Sequence, residues 1–203
     1  MHTALGLLDE IMSNKARQSA FELSKNIEQP YDLYNHVPYR IAVASNLLAI
    51  DRDAYIKNLT GLETREIRVL LNIGSYGPIN AADIAYQSRL DPYSVNRAIN
   101  TLMKRELISA DNDHEKQRSK FVKLSEKGAP LYLKVIEHMQ AREADVLQGI
   151  TDKEKALLLS LLEKIELKAE AALARSAQQL ESQGHTITRD QKELIRWHKR
   201  SSK

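Results

Sequence analysis

The 203-residue chain has no cysteine, which excludes disulfides, thiolate catalysis, cysteine-based zinc sites and thiol redox sensing. Aromatic residues make up only 5% of it; Leu, Ala, Ile, Lys and Glu are plentiful instead, a balance that suits helices better than a sandwich of strands. Long apolar runs are missing too. The most apolar stretch, IAVASNLLAI, has ten residues, well short of the roughly 20 needed to span a bilayer. The N-terminal stretch MHTALGLLDE has no basic leader and is interrupted by Asp9 and Glu10, so it does not read as a secretory signal. These absences predict a cytoplasmic protein with no membrane partner. Net charge is only +3, so the total permits polyanion binding without demanding it, and the placement of the charge matters more. What is present, 42% apolar and 28% charged residues, is enough for a real core in one or two soluble domains.

Along the chain, residues 1–33 read as an N-terminal extension with a short helix in KARQSAFELSKNI, ended by Gln29-Pro30. Residues 34–60 carry a first long helix, from Tyr34 to about Lys57, closed by Thr60-Gly61. EIRVLLNIG gives a short helix with Ile67, Leu70 and Leu71 on one side and Gly74 as its left-handed cap. Asn80-Ala-Ala-Asp83 resembles a capping box for a compact helix over IAYQSRL, and Asp91-Pro92 starts another. After Ile108 the polar stretch ADNDHEKQ and the alternating RSKFVKL predict a β-hairpin. Ser125 is placed to cap a helix running to about Leu147, and Thr151-Asp-Lys-Glu154 is a capping box for a long helix. That helix carries an apolar stripe of Leu158, Leu161, Leu162 and Ile165, which needs a partner. Residues 181–203 form a basic C-terminal tail in which RDQKELIRWHKRSSK sets six lysines and arginines against two acids, a net +4. The tail is read either as a clamp on flanking DNA or as a solvated end.

The stretch DPYSVNRAINTLMK carries the functional signal. At about 100° per residue, Val95, Ala98, Ile99, Leu102 and Met103 share one arc, the side that packs. Opposite them stand Tyr93, Arg97, Asn100 and Lys104, with Ser94 and Thr101 on one flank and Asn96 nearer the packed side. Arg grips guanine O6/N7, Asn grips adenine N6/N7, and Lys or Ser suits phosphate, so this face is chemically able to read a major groove. Every surface helix has a polar face, and composition alone does not separate that reading from DNA binding. The context does: two short helices joined by a turn and followed by a basic hairpin are a helix-turn-helix with a wing. Lys116, Arg118 and Lys120 are the wing candidates, and Asn80 at a helix N-terminus is a candidate phosphate contact.

From about Tyr34 to Lys168 the pieces LETREIRVL, GPINAADIA, LDPYSVNRAINTL, KRELI, LSEKG and ITDKEKALLLSLLEKI, in that order and spacing, resemble the MarR family of bacterial transcription regulators. The resemblance implies a mainly α fold with a small β wing, a winged helix-turn-helix over 61–125, and dimerisation helices over 34–60 and 126–180. It implies a homodimer on double-stranded DNA, in which Ser94, Asn96 and Arg97 touch the duplex, and control by a small aromatic ligand held between dimer helices and winged domain. Tyr34, Tyr39 and Tyr55 are the candidate ligand-lining residues. The chain departs from the family pattern in the wing, where the usual Asp-x-Arg is Lys116-Gln117-Arg118, at Ala110 in place of an Arg, and at Glu106 in place of a Gly. Glu106 deprives the helix end of its easy left-handed residue.

Enzyme chemistry finds no support: there is no Gly-rich phosphate loop, nucleophile motif or convergent acid pair, and the six histidines lack HxxxH or HExxH spacing. No cofactor or metal is expected. The competing class is a protein-interaction module that offers the outward helix to a protein partner instead of DNA.

Overall fold

The computed structural model describes residues 19–111 and 120–202. The chain divides after Asn58 into two units. The first holds most of α1 (Val37–Thr60) and the segment before it. The short helix expected within residues 15–27 is not formed over 22–27, and 15–18 lie outside the described residues. Phe21, Leu23 and Ile27 are exposed there, so no buried face offsets the cost of nucleating a short helix.

The second unit runs α2 (Thr64–Tyr76), β1 (Ile79–Asn80), α3 (Ala81–Ser88), α4 (Pro92–Lys104), β2 (Ile108–Ala110), β3 (Phe121–Leu124), α5 (Gly128–Val146), α6 (Asp152–Ser182) and α7 (Arg189–Ser201). It is mainly helical with one small antiparallel sheet in the order β1-β3-β2. Register pairs Ile79 with Val122 on one side of β3 and Ile108 with Leu124 on the other. The sheet closes one end of a core built from Val69, Leu70 and Ile73 of α2, Ile84 of α3, and Val95, Ile99 and Leu102 of α4. Full burial of each such side chain stabilises the fold by about 2 kcal/mol. Val95 and Leu102 are completely buried while Met103, expected in the same arc, is exposed, because it lies at the edge of the stripe in the last turn.

Gly74 does not end α2. The helix continues to Tyr76, and a Cβ on Gly74 would stand 2.3 Å from the ring of Tyr132 on α5. Its role is close approach, with Tyr132 Oη and Ser75 Oγ 3.0 Å apart above it. Helix α5 begins at Gly128 and not at Ser125: Ser125 Oγ accepts the Gly128 N–H at 2.9 Å and donates to the Glu106 carbonyl at 2.6 Å, which fixes a turn ahead of the helix. Pro130 falls in the first turn, where its missing N–H is tolerated.

The expected tail is a helix. Gly184, at φ +82°, turns the chain after α6, and Thr188 and Gln191 form a capping box, with the Thr188 N–H donating to Gln191 Oε1 at 2.7 Å. Helix α7 packs on α6, where buried Ala174 and Ala177 allow a close approach. Residues 189–201 are amphipathic, with Leu194 and Trp197 beside a basic arc, and α6 supplies the surface on which that apolar side is covered.

Candidate nucleic-acid interface

Helix α4 opens with Asp91, whose Oδ1 accepts the Ser94 N–H at 2.9 Å, and with Pro92 in the first turn. Hydrogen bonds from the Ser94 side chain and N–H hold the Asp91 carboxyl below its ordinary value, with Arg65 adding attraction. The ionised carboxylate at this end also meets the positive pole of the helix.

Two residues outside glycine's usual role bracket α4. Arg89 ends α3 at φ +51°, and Glu106 follows α4 at φ +60°. The left-handed region costs a side-chain-bearing residue about 1–2 kcal/mol. Each is tied down. Arg89 donates to the Tyr86 carbonyl at 2.9 Å, ion-pairs with buried Glu170 of α6 at 2.7 Å, and stacks on the Tyr86 ring. Glu106 pairs with Lys127 at 3.0 Å while its carbonyl takes the Ser125 hydroxyl. Glu106 adopts the left-handed conformation that glycine would favour. Between them, Arg105 donates to the carbonyls of Thr60 and Gly61, both at 2.8 Å.

Tyr93, Arg97, Asn100 and Lys104 are all exposed on one face of α4, Tyr93 at 61%. Asn96 is exposed as well, on the outer side and not the packed one, with its Nδ2 donating to the Pro92 carbonyl at 2.8 Å. Ser94 is different. It is 7% exposed and donates to the Asp91 cap, so it sits inside the first turn and does not reach outward. Asn80 is also occupied. Its Oδ1 accepts the Asp83 N–H at 2.9 Å, and its Nδ2 donates to the Asp83 carboxylate at 2.8 Å. With a carboxylate beside it, Asn80 is a helix cap and a poor phosphate donor. Lys120 is exposed at the foot of β3; Lys116 and Arg118 lie outside the described residues. The wing's base is anchored by the Asp111 N–H donating to the Phe121 carbonyl at 2.9 Å and by a 2.6 Å pair between buried Asp111 and Lys123.

Sequence reasoning missed Arg65 and Arg68. Both are exposed on α2 and line, with Glu63, Glu66 and Arg97, a groove of about 510 Å³ between α2 and α4. Their spacing of three puts them on one helix face, a signal overshadowed by the apolar pattern of Ile67, Leu70 and Leu71 on the same helix. The three tyrosines expected around a ligand do not gather. Tyr34 sits beside Phe21 and under the Arg40 guanidinium, 4.5 Å away. Tyr39 and Tyr55 are 16 residues apart on α1, a separation of about 24 Å along a helix, too far for one pocket in one protomer. A cavity of about 490 Å³ lies instead among the α3–α4 turn, α6 and α7, walled by Leu90, Glu170, Leu173, Leu194 and Trp197.

The MarR family matches residues 62–120. Curated proteins gave no match. Among solved structures, the fold is similar to a MarR/EmrR family transcriptional regulator from Acinetobacter sp. ADP1, at 23% identity and TM-score 0.63, covering 70% of this chain and 99% of that one. A MarR family regulator from Listeria monocytogenes, in complex with a 26mer DNA, aligns at 21% identity and TM-score 0.62 over 76% of this chain and 99% of its own. CouR from Rhodococcus jostii RHA1, bound to p-coumaroyl-CoA, aligns at 19% identity and TM-score 0.57, covering 66% and 93%. Over residues 62–120 the chain is similar to the MarR family, and its fold is that of solved MarR-family transcriptional regulators.

Proposed function

We propose that the chain is a DNA-binding transcription regulator that works as a C2 homodimer, setting two copies of α4 in successive major grooves of a pseudo-palindromic operator, most often to repress a promoter. The observation that carries this reading is the division of α4: Val95, Leu102 and Ile99 are buried, and Tyr93, Arg97, Asn100 and Lys104 face solvent from a rigid, doubly anchored helix. Arg97 is the base reader, Lys104 and Lys120 meet phosphate, and Arg65 and Arg68 add positive potential beside Arg97. The Listeria neighbour solved with DNA supports a duplex as partner.

Homodimerisation rests on apolar surface that one chain leaves uncovered. Leu158, Leu161 and Ile165 are exposed at spacings of three and four on α6, and Leu47, Leu48 and Ile50 are exposed on α1. CouR, solved with an acyl-CoA, supports control by a small aromatic ligand. No described helix is long and apolar enough to cross a membrane.

Selection of bound duplexes from a random-sequence pool gives the operator. On it, Arg97→Ala is expected to lose about 1–3 kcal/mol and to relax preference at one base pair per half-site. Unchanged affinity would remove Arg97 as a base reader. Absence of any salt-sensitive duplex binding by the unaltered chain would overturn the function.

A further inference from the structure

The C-terminal helix carries a charge pattern that its packing uses only in part. Around α7, at about 100° per residue, Arg189, Lys192, Arg196, Lys199 and Arg200 fall within an arc of about 100°, and both acids of the helix, Asp190 and Glu193, lie outside it. All five cations are exposed. Leu194 and Trp197 beyond the arc, and Glu193 at its edge, face the cavity against α6. The arrangement is one of segregated charge, not of alternating signs on a solvated face.

The two ends of this arc are fixed to the helix-turn-helix. The Arg189 guanidinium lies 5.9 Å from the ring centre of Tyr93, the second residue of α4. Arg200 pairs with Asp83, in the first turn of α3, at 2.6 Å and stacks on Tyr86 at 4.4 Å. Ser201 Oγ donates to buried Glu170 at 2.7 Å and lies 2.8 Å from Tyr86 Oη. Helix α7 is thus pinned beside the N-terminal turns of both helices of the motif. Those are the ends that approach a duplex: the second helix presents its N-terminal residues to base edges while the first crosses the backbone.

We propose that α7 is a second DNA-contacting element, whose Arg189, Lys192, Arg196 and Lys199 track the phosphate backbone next to the groove entered by α4. The proposal rests on the DNA-binding reading above. From residue 189 to 199 the helix rises about 15 Å, the length of about four base pairs at 3.4 Å each. Phosphate contacts carry no base information, so α7 supplies affinity and orientation while α4 supplies sequence preference. Arg196 shares its charge with Glu193 at 2.5 Å and Arg200 with Asp83, which leaves Lys192 and Lys199 as the cleanest probes.

The test uses the full chain and a fluorescein-labelled 40-base-pair mixed-sequence duplex, with binding followed by anisotropy from low to moderate potassium chloride. Lys192→Gln/Lys199→Gln is expected to flatten the slope of log affinity against log salt by about two per protomer. Affinity at moderate salt is expected to fall about tenfold or more, with the sequence recovered from a random pool unchanged and the melting temperature unaltered. Arg97→Ala shows the reverse pattern, a changed recovered sequence with little change in slope. A lysine-pair variant that keeps the wild-type slope and affinity, while Arg97→Ala still changes the sequence, overturns the role of α7 and leaves the DNA-binding function standing. A wild-type chain with no duplex affinity overturns both.

Discussion

The winged-helix segment and the long helix α6 are both rich in leucine and isoleucine, but they treat them differently. In the first, Leu70, Ile84, Val95 and Leu102 are buried within one chain. In the second, Leu158, Leu159, Leu161 and Ile165 stand in solvent along the same helix whose later residues, Ala174 and Ala177, are covered by α7. The winged-helix core is complete in itself, while the first half of α6 leaves an apolar face uncovered. Apolar periodicity thus marks a face without saying whether the chain itself covers it.

The comparison breaks most sharply at paired leucines. Leu102→Ala is expected to cost 2–5 kcal/mol, read from the urea midpoint, since a fully buried side chain leaves both its transfer energy and a cavity. Leu161→Ala, at a residue 46% exposed in the single chain, tests the other half. If α6 pairs with a second copy, the loss is 1–2 kcal/mol, appears as a protein-concentration-dependent midpoint, and accompanies dissociation in sedimentation. A concentration-independent loss under about 0.5 kcal/mol would mean that this face stays wet.

Smaller effects sharpen how α4 is held. Asp91→Ala removes a helix cap and is expected to cost about 1 kcal/mol. Because hydrogen bonds from Ser94 lower the Asp91 carboxyl in the folded chain, the wild-type advantage should be complete above the unfolded aspartate value of about 3.9 and disappear as pH falls through the lower folded value. A wild-type-to-variant difference that stays constant to pH 2 would contradict that assignment. The smallest effect has the opposite sign. Glu106→Gly relieves a left-handed residue at φ +60° and loses only an exposed pair with Lys127, so thermal unfolding should show a gain of about 0.5–1 kcal/mol.

Much of the fold was legible because it is written locally. Asp91-Pro92 and Thr151 to Glu154 announce helix starts by chemistry confined to one turn, and both are observed. The exposed face of α4 followed from its period, including Arg97, Asn100 and Lys104. Where the reading failed, the deciding partner was far away in sequence. Ser94 lies on the flank of the wheel, yet the fold buries it, and Asp83, which occupies Asn80 from three residues away, also draws Arg200 from 117 residues away. Gly74 looked like a helix end and proved to be the floor under Tyr132.

By itself, then, the sequence determined where helices begin, which faces are apolar, and that a winged helix-turn-helix precedes two long helices, because caps and periodicity act over one or two turns. Tertiary structure alone decided that the basic C-terminal segment is a helix clasped to the helix-turn-helix, and that Arg89 and Glu106 stand in glycine's conformation. A strained turn and an ordered terminus both depend on partners such as Glu170, Lys127 and Tyr86, and no local pattern reveals whether distant groups will arrive to hold them.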